Sequence, residues 1–304
     1  MIFLKLTTFF NNKGEKRAGW VENNRIYDCY ETSNGDLPDN VLEFIKNHER
    51  YLPKWQQLKG NGAGGFELNQ VTLTAPLPNP PSVRDFIAFE EHMVNAGKRV
   101  GLPVAPEWYE IPVFYFSNHL AIRGHNEEIE RPPFCHWLDY ELEIACVIGK
   151  EGKNIQADEA EDYIFGYTIL NDWSARDLQS KEMKVGLGPA KGKDFANSIG
   201  PYIVTKDELE SYRMGERYDL NMTAKVNGKI LSEGNFKNVY YTFGQMIERA
   251  AQGVTLYPGD IIGSGTVGKG CLLELGPDVQ RWLEPGDTVE LEIDAIGKLT
   301  NRVI

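Results

Sequence analysis

Long hydrophobic runs, paired cysteines and a surplus of basic charge are what this chain lacks. No run of about 18 apolar residues occurs, so no membrane-spanning helix is expected. The start, Met1 to Phe10, has neither the basic flank nor the small-residue cleavage site of a signal peptide and reads as a strand. Cysteine is scarce: Cys29, Cys135, Cys146 and Cys271 show no metal-type spacing. They are expected to be reduced thiols of a cytoplasmic protein. Lys and Arg number 32 against 44 Asp and Glu, a formal charge of −12, which opposes binding to nucleic acid or to an anionic membrane.

What is present is acidic and ordered. The run Leu138 to Ile148 is apolar and β-branched enough to form a strand, in which residues two apart share a face. One face carries Asp139, Glu141 and Glu143, and the other Leu138, Tyr140, Leu142 and Ile144. Like charges so crowded repel. Either that face is solvated, or a divalent cation supplies the counter-charge, and carboxylate oxygens suit a hard ion. A second strand, Ile164 to Leu170, runs into Asn171-Asp172 and then into a polar segment with Arg176, Asp177 and Gln179. Asp172, at a strand end, can add a third carboxylate. The Gly-rich loop Gly186 to Lys193 carries a lysine but lacks the Gly-Lys-Ser/Thr order of a phosphate-binding loop.

Residues 1–75 read as a small α/β module. It has strands at Ile2 to Phe10, Arg17 to Glu22 and Arg25 to Cys29, and a helix near Asn40 to Gln57 interrupted by Pro53. Gly60 to Gly65 reads as a flexible connector, and Pro76, Pro78, Pro80 and Pro81 mark the boundary to a main domain at 76–304. That domain is mostly short strands, with a hairpin signal at Asn227-Gly228 and helices expected at Val83 to Gly97, Ala157 to Asp162 and Phe243 to Ala251. The pattern predicts a β-rich α+β fold.

These segments resemble the fumarylacetoacetate hydrolase family. The resemblance rests on the Glu141-x-Glu143 strand, on Asn171-Asp-Trp-Ser-Ala-Arg-Asp177 and on the Gly-rich lysine loop. Gly263-Ser-Gly-Thr-Val267 and Arg281-Trp-Leu-Glu-Pro-Gly-Asp-Thr-Val289 extend it, so that it runs from about Pro78 to the C-terminus. It is strongest to fumarylacetoacetase-type members, where a metal-ligand aspartate precedes a catalytic histidine by seven residues, as Asp85 precedes His92 here. On a helix, residues seven apart fall on nearly one face, so both could look into one cleft.

The resemblance implies a mixed β-sandwich or roll, the first 75 residues being an accessory domain. It implies Asp85, Glu141, Glu143 and Asp172 as ligands of Mg2+ or Ca2+, with Mn2+ as a substitute. It implies His92 as the base that activates water, oriented by Glu274, with Arg176, Gln179 and Lys193 stabilising an oxyanion. Tyr115 and Thr266, with Gln179 and Lys193, would contact the substrate. The implied protein is a homodimer acting on a small oxo acid, a hydrolase of a carbon–carbon bond in a β-diketo acid from aromatic amino-acid breakdown. The alternative is a related 2-oxo-acid lyase: an acylpyruvase, an oxaloacetate decarboxylase, or a hydratase or isomerase. Those relatives commonly carry His-x-x-Glu, whereas Asn95 follows His92 here.

Other readings of single residues stay open at this stage. Ile87, Met183 and Gly101 stand where fumarylacetoacetases have substrate tyrosines and an arginine, and Arg99 is the candidate to compensate. Lys193 can simply face water, Arg176 can pair with Asp177, and Glu274 can lie on an alternating strand. A non-catalytic binding protein with a structural metal is the remaining alternative.

Overall fold

The computed structural model describes residues 3–60, 65–101 and 103–304. Ile2 of the first expected strand, residues 61–64 of the connector and Leu102 of the Gly97 to Pro106 loop lie outside the described residues.

Two neighbouring strands organise the molecule. Leu142–Ile148 and Ile164–Asp172 are buried at every position, which is why their sequences run apolar instead of alternating. They pair antiparallel, with Glu143 opposite Leu170 and Ala145 opposite Thr168. Asn197–Thr205 pairs with the second of them and Ile261–Gly263 with the first. Val83–Phe86 lies parallel to Ile261–Gly263, and Phe114–Ser117 follows at the edge. At the other end Lys5–Phe10 pairs with Asn197–Thr205, so the N-terminal strands continue the same sheet. Among the described residues this sheet has twelve strands, with parallel and antiparallel neighbours.

A second, five-stranded mixed sheet covers one face of the first. Ile144, Cys146, Tyr167 and Ile169 of the central strands share a core with Met222, Ala224, Leu291 and Leu299 of that sheet. On the opposite face, Ala145, Val147 and Leu170 pack with Phe44, Ile45 and Trp55 of the N-terminal helices. The result is the β-rich α+β fold with mixed sheets that the sequence predicts. The Asn227-Gly228 hairpin forms as expected: Val226 pairs with Lys229, and both turn residues have positive φ. Among the described residues, no helix is long and apolar enough to cross a membrane.

Three local expectations are corrected. The Leu138 to Ile148 run is two strands, Leu138–Asp139 and Leu142–Ile148. Leu138–Asp139 leaves the main sheet to pair with Ser174–Ala175, because Asp139 turns to accept the N–H groups of Leu272 and Leu273. The helix expected at Val83 to Gly97 begins only at Glu90 and ends at Gly101, which is left-handed. Val83–Phe86 is a strand, held between two others, so Asp85 and His92 do not share a helix. Glu274 lies on a one-turn helix, Leu272–Leu275, in place of a strand.

Candidate active site and metal centre

Four carboxylates from three strands and one link converge. Asp85 comes from Val83–Phe86, Glu143 from Leu142–Ile148, and Asp172 ends Ile164–Asp172. Glu141 comes from the link before Leu142, fixed by its own N–H, which donates to Asn171 Oδ1 at 2.9 Å. One ligand oxygen from each of the four lies within 4.8 Å of all the others. All four residues are buried, Glu143 and Asp172 completely, so the acidic face is not a solvated one. Gly263 makes the approach possible: a Cβ there would stand 2.3 Å from Asp85 Oδ1.

The electrostatics divide the four. Burial pushes the Asp85 carboxyl well above its ordinary range, and the Asp172 charge adds to this. Burial does the same to Glu143, helped by Asp85 and Glu141. Asp172 is also raised by burial, with Lys193 pulling it back. Glu141 goes the other way: burial opposes its charge, but Lys193 and Arg176 outweigh burial and hold it low.

Lys193 Nζ donates to Glu141 Oε2 and to Asp172 Oδ2, at 2.6 Å each. Burial works against its charge, and the two carboxylates more than restore it, leaving it raised. It is buried, so the water-facing alternative does not hold. Arg176 donates to Asp139 Oδ2 (2.8 Å), Glu141 Oε1 (2.7 Å) and Gln179 Oε1 (3.0 Å). Its partner is therefore not Asp177, which accepts the His136 N–H. The Tyr115 hydroxyl donates to Asp172 Oδ2, and Thr266 Oγ1 donates to Glu143 Oε1 at 3.4 Å.

Asp139, Asp85, Glu141, Glu143 and Asp172 are five buried carboxylates facing two buried cations, Arg176 and Lys193. If all are ionised, three negative charges are uncompensated. Asp85 Oδ1, Glu143 Oε2 and Asp172 Oδ1 are buried with no hydrogen-bond partner. An unpaired buried carboxylate oxygen is costly, and three of them converging ask for a cation. The donor set is all oxygen, so these residues fit a hard divalent ion and could hold one.

Beside this centre, His92 Nδ1 lies 2.6 Å from Glu274 Oε1, both buried. With Glu274 ionised, Nδ1 carries the hydrogen and Nε2 keeps a lone pair. His92 is close enough to Glu141 for a charge on its ring to act on that carboxylate. Glu274 is itself held: its Oε2 accepts from Asn95 Nδ2 (3.0 Å) and the Lys269 N–H (2.8 Å). Arg99, the candidate for compensating a lost substrate arginine, instead donates to the carbonyls of Glu274 and Leu275. It is committed to the exposed carbonyls at the end of that one-turn helix.

The structure thus gathers Asp85, Glu141, Glu143, Asp172, Lys193, Tyr115 and Thr266 around one centre, with Gln179 attached through Arg176. His92 and Glu274 stand as a pair beside it. Asp139, Asn171 and Asn95 escaped the sequence reading as site residues. Asn95 had a signal, since it follows His92 by three on one helix and so shares its face. Asp139 had one too, lying two residues before Glu141.

The family model described as fumarylacetoacetate (FAA) hydrolase C-terminal matches residues 82–304. Oxaloacetate tautomerase YisK of Bacillus subtilis is 32% identical over 281 residues, covering 88% of this chain and 87% of that protein. The fumarylacetoacetase of Arabidopsis thaliana is 32% identical over 265 residues, covering 67% of this chain and 63% of its own. A fumarylacetoacetate hydrolase structure from Exiguobacterium antarcticum superposes with a TM-score of 0.77 at 27% identity, covering 99% of both chains.

Proposed function

Because this chain belongs to the fumarylacetoacetate hydrolase family, whose members are enzymes, we propose that it hydrolyses a carbon–carbon bond in a β-diketo acid like fumarylacetoacetate. The observation that carries this reading is the buried His92–Glu274 pair beside the carboxylate centre. Asp85, Glu141, Glu143 and Asp172 would hold the cation, magnesium or calcium, with manganese as a substitute. When bound, the cation would supply Lewis-acid polarisation of the substrate's oxo oxygens.

The chain's own groups do the rest. His92 Nε2 takes a proton from water, and Glu274 stabilises the imidazolium at Nδ1. The hydroxyl of that water goes to the attacked carbonyl carbon. Lys193 spends two of its three N–H bonds on carboxylates and keeps one for the developing oxyanion. Gln179 accepts from Arg176 through its oxygen, and its amide NH2 would be a further donor to the oxyanion. Arg176 contributes its charge and holds Glu141 and Gln179 in line. The carbon–carbon bond then breaks, its electron pair staying with the leaving enolate, which takes up a proton that His92 can return. Tyr115 and Thr266 are the further substrate contacts. Residues 76–304 carry this chemistry, with 1–75 as an accessory domain. Four free, buried cysteines suit a reducing compartment such as the cytoplasm, while the homodimer and the place in aromatic amino-acid breakdown rest on the family resemblance alone.

A second reading is keto–enol isomerisation of a 2-oxo diacid, with His92 moving a proton between carbon and oxygen. Similarity to an oxaloacetate tautomerase over 88% of the chain favours it. Fumarylacetoacetate, an acylpyruvate and oxaloacetate, each assayed with magnesium and with chelator, separate the two. Metal-dependent cleavage of a diketo acid, lost in His92→Ala, is expected. Isomerisation of oxaloacetate without cleavage of any diketo acid would replace the first reading by the second. Unchanged turnover in His92→Ala would remove both.

A further inference from the structure

A second set of ligand atoms lies behind the imidazole. His92 Nδ1, Cys271 Sγ and a carboxylate oxygen of Glu274 all lie within 4.8 Å of one another, and all three residues are buried. Sγ is 3.6 Å from Glu274 Oε1, the same oxygen that faces Nδ1 at 2.6 Å. This donor set differs in kind from the neighbouring centre: one nitrogen, one sulfur and one oxygen against four oxygens. Imidazole and thiolate select zinc-class ions, whereas magnesium and calcium select oxygen.

The carboxylate is already oriented for the task. Glu274 Oε2 is held by Asn95 and the Lys269 N–H, which leaves Oε1 turned toward His92 and Cys271. Groups that hold a ligating carboxylate in this way commonly support metal sites. Cys271 has no part in the hydrolysis described above. Burial pushes its thiol well up, so it is protonated and inert as a nucleophile.

We propose that His92 Nδ1, Cys271 Sγ and Glu274 Oε1 form a binding site for a zinc-class ion, separate from the hard-ion centre, and that filling it switches off the base. On binding, the Cys271 thiol gives its proton to solvent and its sulfur pair to the ion. His92 exchanges hydrogen with solvent, losing it from Nδ1 and gaining it at Nε2, so that Nδ1 can ligate. Glu274 Oε1 donates a lone pair, one proton is released in all, and nothing is oxidised or reduced. Two ligands on a tetrahedral ion with bonds of about 2.1 Å stand about 3.4 Å apart. Nδ1 and Oε1 therefore separate by less than about 1 Å. Nε2 then carries a hydrogen and has no lone pair with which to take a proton from water. Binding rests on the geometry alone, while the loss of turnover rests on the role proposed for His92.

Cobalt(II), one equivalent added to the magnesium-saturated protein, reports the site through a thiolate-to-cobalt charge-transfer band. Cobalt in an all-oxygen centre gives no such band. The band is expected in the wild type and in Cys135→Ser, and is expected to vanish in Cys271→Ser and Cys271→Ala, both verified as folded by thermal melting. No band in the wild type, or a band that survives in both Cys271 variants, overturns the site. In parallel, zinc is titrated against turnover of the magnesium enzyme. Half-inhibition of Cys271→Ser is expected to need about tenfold more zinc or beyond, as weakened ligand sets do. A band without any zinc inhibition would leave the site standing and overturn the role of His92 as base.

Discussion

Replacing Glu274 by glutamine tests the base without altering its shape. The wild-type carboxylate accepts on both oxygens: Oε2 from Asn95 Nδ2 and the Lys269 N–H, and Oε1 from His92 Nδ1. A glutamine has one acceptor oxygen, and the two N–H donors on the Oε2 side claim it. The amide NH2 then faces His92 Nδ1, which must accept, and the ring hydrogen moves to Nε2. The lone pair that takes the proton from water is gone, although every heavy atom can stay in place. A positioned general base contributes about 10²- to 10⁴-fold, and the wrong tautomer forfeits most of it. We expect kcat for Glu274→Gln to fall on the order of 10³-fold, with KM and magnesium affinity near wild type. The assay is steady-state kinetics on the substrate identified in the panel, with calorimetry for the metal. A folded variant retaining kcat within about threefold would refute His92 as the water-activating base.

Three other outcomes follow from the same geometry. Gly263→Ala places a methyl 2.3 Å from Asp85 Oδ1 and 2.7 Å from Leu170 Cδ2, so the carboxylate must move. Magnesium affinity measured by calorimetry is expected to drop by about 10- to 100-fold, and an unchanged affinity would remove Asp85 from the ligand set. Lys193→Met leaves Glu141 and Asp172 facing each other with one cation fewer. Breaking such a buried pair costs about 3–5 kcal/mol, so the metal-free variant should melt well below the wild type and recover partly when magnesium is added. An unshifted melting temperature in chelator would contradict the charge balance drawn above. Asp287 gives a pH effect remote from the site. Burial opposes its charge, but hydrogen bonds from Arg281, Asn227 and the Glu284 N–H outweigh burial and depress its carboxyl below the ordinary 3.8. A depressed acid stabilises the fold fully above its unfolded value and loses that contribution as pH falls through its folded value. Urea melts below pH 4 or so should therefore show a steeper acid loss in the wild type than in Asp287→Asn, and parallel curves would remove this contribution.

How far the sequence could be read depended on whether an element carried its own reason for its conformation. The hairpin at Asn227-Gly228 was legible because positive φ at both positions is a property of those two residues. The Val83 to Gly97 segment was misread because the deciding partners are distant. Val83–Phe86 is a strand since Ile261–Gly263 and Phe114–Ser117 flank it, and nothing within fifteen residues announces that. The same holds for Leu138 to Ile148, whose continuity as one strand was broken by the N–H groups of Leu272 and Leu273. Asp85 and His92 still meet the same site, by a strand and a helix in succession and not by one shared helical face.

Glu141 and Glu143 were visible as a pair because they stand two apart, and Asp172 because it ends a strand, whereas the family resemblance marks Asp85, Arg176 and Lys193 as site residues. Which cation pairs with which acid was not visible, since Lys193 reaches Glu141 across 52 positions and Arg176 reaches it across 35. Charge balance is a property of the folded interior, where each unpaired charge is costly, and it cannot be tallied along the chain. It also explains why the site tolerates five buried acids. Three touch a cation directly, Asp139 and Glu141 through Arg176, and Glu141 and Asp172 through Lys193. Burial raises Asp139 and Asp172 with these cations pulling them back, and only Glu141 is held low. Asp85 and Glu143 have no such partner, and burial pushes both of them up. Those two carboxylates, together with the free oxygen of Asp172, are where a bound cation gains the most. It is there, and not at Glu141, that a neutral amide substitution should weaken metal binding with least damage to the surrounding ion pairs.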